Sequence, residues 1–86
     1  MNLYLLTQTQ IVGYDCYDSC IVCAENEEEA KRINPMGGVI PESDSDEKAT
    51  FLGYWASSAE HVSCEFIGIA SDDVEKGIVL SSYNAG

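Results

Sequence analysis

The chain has 86 residues, 15 of them acidic against 4 basic, for a formal charge of −11 at neutral pH. That balance excludes direct binding to DNA, RNA or an anionic membrane, whose phosphates are gripped through Lys and Arg, and makes cationic surfaces the natural partners. One domain spanning 1–86 is expected, burying roughly 60–65% of the unfolded chain's surface; with neither the basic start of a signal peptide nor a bilayer-length apolar run, it is expected in the cytoplasm.

Residues 1–14, 49–59 and 77–86 carry no Asp, Glu, Lys or Arg, so the acids cluster where strands would be connected. Leu3 to Leu6 reads as a first strand, apolar on both faces, followed by a polar Thr-Gln repeat and a turn at Gly13-Tyr14-Asp15. In a second strand, Ser19 to Ala24, Ile21 and Cys23 alternate with Cys20, Val22 and Ala24. Both faces are again apolar, which predicts a place inside the sheet as hairpin partner of the first. A short helix follows. Asn26 is its predicted cap, Glu29 completes a capping box, and Glu27 to Glu29 set negative charge at the positive end of the macrodipole. The pairs Glu27–Lys31 and Glu28–Arg32 have the favoured i,i+4 order, Ala30 and Ile33 are the inward candidates, and Asn34-Pro35 ends the helix.

A flexible acidic loop is expected at about 37–49, rich in Asp, Ser and Glu. Phe51 to Trp55 reads either as a short strand or as an aromatic plug over the sheet. Val62 to Ala70 is a strand with Cys64 and Phe66 on one face and Ile67 and Ile69 on the other. Asp72 to Gly77 is a turn in which Gly77 suits positive φ, and Ile78 to Tyr83 is expected to return as a hairpin with the strand before it. The predicted fold is α+β: a small antiparallel sheet of three to five strands with one short helix packed on a face.

Four cysteines invite chemistry. Cys16-x3-Cys20-x2-Cys23 has the spacing of a radical-enzyme iron–sulfur site, but an i,i+3 pair in a strand points to opposite faces. Zinc held by Cys20, Cys23, His61 and Cys64 would need both pairs in turns, and strand placement argues against it. No cofactor is therefore expected, and the thiols are expected to stay reduced and behave as small hydrophobes. Lone His61 lacks the orienting group and oxyanion site of a hydrolase, so no enzyme activity is expected.

The loop acids alternate as Glu42, Asp44 and Asp46. An EF-hand is ruled out because Glu47 and Gly53 stand where Gly and a bidentate Glu are required. In an extended loop the same alternation would set three carboxylates about 6.5–7 Å apart on one side, close to the spacing of phosphates along a nucleic-acid strand, so mimicry of nucleic acid is physically open. Tyr14-Asp15 and Tyr17-Asp18 form a second candidate, since aromatic rings beside carboxylates suit Arg. Turn chemistry explains the same residues equally well.

The segments Tyr14-Asp15-Cys16-Tyr17-Asp18-Ser19, Ala24 to Ala30, Asn34-Pro35, the Trp55 region and Ser82 to Gly86 resemble a family of small acidic proteins encoded by bacteriophages and prophages. In that family Thr is common at the position of Cys16 and ordinary apolar residues replace the strand cysteines, which implies no shared ligand set. The resemblance implies no settled enzyme activity. It implies a phage context, in which small acidic proteins act as inhibitors of host defence, anti-CRISPR proteins among them, by occupying the basic surface of a nucleic-acid-handling complex. The expected contact residues are Asp15, Asp18, Glu42, Asp44, Asp46, Glu47, Asp72, Asp73 and Glu75. The rival expectations are an accessory phage protein, acidic for solubility, and a zinc-stabilised binding module.

Overall fold

A computed structural model describes residues 1–10, 16–49 and 53–84. Four strands, β1 (Asn2–Gln8), β2 (Cys16–Ala24), β3 (Val62–Ile69) and β4 (Gly77–Asn84), form one antiparallel sheet in the order β3-β1-β2-β4. A five-residue helix, α1 (Glu27–Lys31), packs on one face, and a 3-10 turn at Ala59–His61 leads into β3. The predicted α+β class is the one observed.

β1 and β2 pair as expected, from Asn2 opposite Ala24 to Thr7 opposite Ser19. Their alternation sends Tyr4 and Leu6, with Cys20, Val22 and Ala24, to an inner face where all five are buried. Ala30 and Ile33 reach down from above, joined by Ile40, Trp55, Ala56 and Val62. Phe51 and Leu52 lie outside the described residues, but Trp55 is fully buried in a segment without regular structure, which makes it a plug and not a strand residue.

Among the described residues no helix or strand packs on the outer face. β2 is apolar on that side for two local reasons. Cys23 is sealed by the connection after β3, where its Sγ approaches the Val74 carbonyl, while Ile21 opens onto a shallow hollow shared with Leu5 and Leu80. Both sheet edges are also apolar, exposing Phe66, Ile67 and Ile69 on β3 and Ile78, Val79 and Leu80 on β4.

Two expectations about the late strands are corrected. β4 does not form a hairpin with β3; it pairs with β2, from Cys23 opposite Gly77 to Cys16 opposite Asn84, so the two lie at opposite edges of the sheet. The residues from 70 to 76 span three interstrand gaps of about 4.8 Å each, well within the reach of an extended segment at roughly 3.3 Å per residue. Crossing gives the bare edge of β2 a hydrogen-bonding partner and covers Cys23, and Gly77, at φ 122°, makes the bend into the new strand. The second correction is Ile67, which falls in a bulge between the pairs Tyr4–Phe66 and Leu3–Gly68, so the expected alternation breaks there and Ile69 comes opposite Asn2.

The helix start matches its sequence signal. Asn26 Oδ1 accepts from the Glu29 N–H at 2.8 Å, while the Glu29 carboxylate accepts from the N–H of Glu25, one residue before the usual capping-box donor. Among the described residues neither expected i,i+4 ion pair forms. Lys76 instead crosses to Glu29 at 3.2 Å, and Arg32 Nε donates to the Ile40 carbonyl at 2.9 Å. That last bond, with Ile40 N–H to Arg32 O and Asn34 N–H to Gly38 O, closes a small reversal in which Gly38 takes φ 79°.

Candidate functional site

The face carrying α1 is where the structure gathers acids. Two adjoining hollows open beside the helix, one lined by Glu28, Lys31, Glu42, Ala59 and Glu60, the other by Asn26, Glu28, Glu29, Arg32, Val39 and Glu42. Glu28 and Glu42 border both, so the hollows form a continuous trough edged by carboxylates from the helix, the loop and the 3-10 turn. Lys31 and Arg32 neutralise part of it, but Arg32 is held against the Ile40 carbonyl. Carboxylates arranged in this way receive a guanidinium or ammonium group through charge-assisted hydrogen bonds.

The expected contact residues are dispersed. Asp15 lies outside the described residues. Asp18 is exposed at the irregular start of the β2–β4 pairing. Glu42 enters the trough, while Asp46 and Glu47 are exposed within turns of the loop. Asp72, Asp73 and Glu75 ride on the connection between β3 and β4; Ser71 Oγ donates to Asp73 at 2.6 Å and holds its carboxyl below the ordinary range. Lys76 brings this connection against the start of α1, where the Glu29 carboxyl is lowered chiefly by the Glu25 N–H and further by Lys76.

The extended ladder of Glu42, Asp44 and Asp46 does not form. Asp46 N–H donates to Ser43 O and Ala49 N–H to Asp46 O, two successive turns braced by Ser43 Oγ to the Ser45 N–H and by Asp46 Oδ1 to the Lys48 N–H. Short Asp and Ser side chains bond neighbouring backbone in this manner, and here that preference overrides extension. Asp44 is drawn out of line altogether. It accepts from Ser57 Oγ at 2.7 Å and meets His61 Nε2 at 2.5 Å, and Ser57 is in turn bonded to both ends of the Gln10 amide. Serine and histidine thus meet opposite oxygens of one carboxylate, so the arrangement is a strap and not a nucleophile–base pair.

His61, then Ser57 and Ser58, hold the Asp44 carboxyl down to about 2. A carboxyl lowered on folding adds stability that is complete above its unfolded value near 3.9 and disappears as pH falls through the folded value. The thermal midpoint of the native chain should therefore exceed that of Asp44→Asn at neutral pH, and the gap should close between about pH 4 and pH 2. A gap unchanged at pH 2 would contradict the assignment.

The four-ligand zinc arrangement does not assemble. Cys20 and Cys64 flank Leu6 from opposite sides, two strand spacings apart, Cys23 takes the other face of the sheet, and His61 is turned to Asp44. None of the four cysteines is joined in a disulfide. Glu28, Glu29 and Glu60 were not among the expected contacts. Glutamates fanned around a helix point in different directions, and only the path of the loop brings Glu42 and Glu60 beside Glu28. Among the described residues no helix is long and apolar enough to cross a membrane. Comparison with known proteins finds no matching family model, no similar curated protein and no similar solved structure.

Proposed function

We propose that the protein is a non-catalytic inhibitor of phage type, acting in the host cytoplasm by docking on the basic surface of a nucleic-acid-handling defence complex, in the manner of an anti-CRISPR protein. The supporting observation is the trough in which Glu28, Glu29, Glu42 and Glu60 converge from three segments of the chain. Its carboxylates would engage Arg and Lys that otherwise hold phosphate, as a cluster rather than as a phosphate-spaced ladder. The test is capture of a nuclease or CRISPR complex from host lysate at low and high salt, with the double reversal Glu28→Lys and Glu42→Lys alongside. Capture should weaken with salt and fall at least about tenfold in the reversed variant, since each lost charge pair becomes a repulsion. Capture indifferent to both would sink the reading.

One observation favours a second reading, an accessory phage protein that assembles through apolar contacts and is acidic for solubility. The outer face carries Leu5, Ile21 and Leu80 around a shallow hollow, and both edge strands expose apolar side chains. Leu80→Lys separates the two. Loss of the partner in this variant with retention in the charge-reversed one supports assembly, and the opposite pattern supports inhibition.

A further inference from the structure

Beside the trough, the loop and the 3-10 turn build a second constellation. Asp44, Glu60 and His61 each present one ligating atom, and these atoms lie within 4.8 Å of one another. They are oriented from behind: the Asp44 N–H donates to Glu60 Oε2 at 2.9 Å, and Ser57 Oγ occupies Asp44 Oδ1, which leaves Oδ2 for the His61 ring. A separate observation points at the same place. Ser58 is fully buried, and its hydroxyl faces the Asp44 carboxylate closely enough to help keep it ionised. Its Oγ nevertheless has no hydrogen-bond partner among the described residues. Buried hydroxyls are nearly always bonded, so an unbonded one beside this cluster marks a position where a further group is to be accommodated.

We propose that Asp44, Glu60 and His61 form a binding site for a first-row divalent cation, zinc foremost, with Ser58 Oγ as an additional oxygen at the Asp44 side. Zinc accepts this mixture of imidazole nitrogen and carboxylate oxygen in four-coordination, whereas magnesium and calcium prefer oxygen alone. The cation takes the place of the proton that joins His61 Nε2 to Asp44 Oδ2, so binding competes with protons and weakens in acid. Exposed carboxylates and a half-buried imidazole leave the entry path open. Bound there, the ion would fasten the acidic loop to the turn that begins β3.

The chain contains a single histidine, so its imidazole resonances in a proton NMR spectrum belong to His61 alone. Addition of zinc chloride to the full chain should shift those resonances to saturation at one equivalent and raise the thermal midpoint with metal concentration. Glu60→Gln and His61→Gln should each weaken binding at least about tenfold, while Cys64→Ser should leave it unchanged. Imidazole resonances unmoved by excess zinc, or an affinity in the Glu60 and His61 variants equal to that of the native chain, would overturn the proposal; the first readout uses the native chain and does not depend on any variant folding.

Discussion

Trp55→Ala is expected to remove a large share of the stability of this protein. The indole is fully buried in the layer that contains Tyr4, Leu6, Val22, Ala30 and Val62, and it is the largest enclosed side chain. Truncating a buried Trp costs about 3–5 kcal/mol in lost transfer energy and residual cavity. A chain of this size holds roughly 4–13 kcal/mol in total at the usual 0.05–0.15 per residue. Unfolding in urea, followed by circular dichroism because the single Trp has gone, should show a midpoint far below that of the native chain. Trp55→Phe should be far milder. It keeps most of the ring volume and discards an indole N–H that finds no partner among the described residues, a group whose burial costs about 1–3 kcal/mol. Equal losses in the two variants would show that the packing of the indole is not what holds the layer together.

Thiol reactivity should span the second large range. Burial pushes the Cys20 thiol up to about 12, and burial, reinforced by Glu27, pushes Cys64 up to about 11. The thiolate is the nucleophile, so at pH 8 Cys20 should react with an aromatic disulfide about 10³-fold more slowly than an ordinary thiol near 8.5. Its enclosure slows the reaction further. Cys64, half-buried on the edge strand, should be the first to label in the native chain, with Cys16, Cys20 and Cys23 silent until denaturant exposes all four together. Peptide mapping assigns the order, and rapid labelling of Cys20 would refute its placement on the covered face of the sheet. Cys16, Cys20 and Cys23 are buried in the strands where small hydrophobes would stand, and burial is the first cause that raises Cys20 and Cys64.

Both results trace back to the same inner layer, and so does the fate of the acidic surface. With one face of the sheet covered by α1 and the loop, Glu28, Glu42 and Glu60 share that side, whereas Asp72, Asp73 and Glu75 ride on the connection that passes over Cys23, and Glu65 is the charged residue among the strand positions that register assigns to the outer face. Net charge alone therefore understates the asymmetry: the molecule sets an acidic flank against an apolar sheet face, and the two readings of its function differ in which of these meets a partner.

What the sequence determined by itself was local. Alternation of Cys20, Val22 and Ala24 with Ile21 and Cys23 specified a strand inside the sheet, the pairing of β1 with β2 followed from adjacency, and Asn26 with the acids after it specified where the helix begins, because each depends on neighbours within a few residues. The tertiary structure decided what depends on distant segments. β4 joined β2 instead of its sequence neighbour because the free edge of β2 required a partner, and a bulge at Ile67 shifted the last apolar residues of β3 out of their simple alternation. Asp44, apparently one of three equivalent loop acids, was singled out by Ser57 and His61, and Glu28, Glu42 and Glu60 became one surface only when the loop folded back on the helix. Charge at each position is written in the residue itself, but whether two charges meet is a property of the path the backbone takes between them.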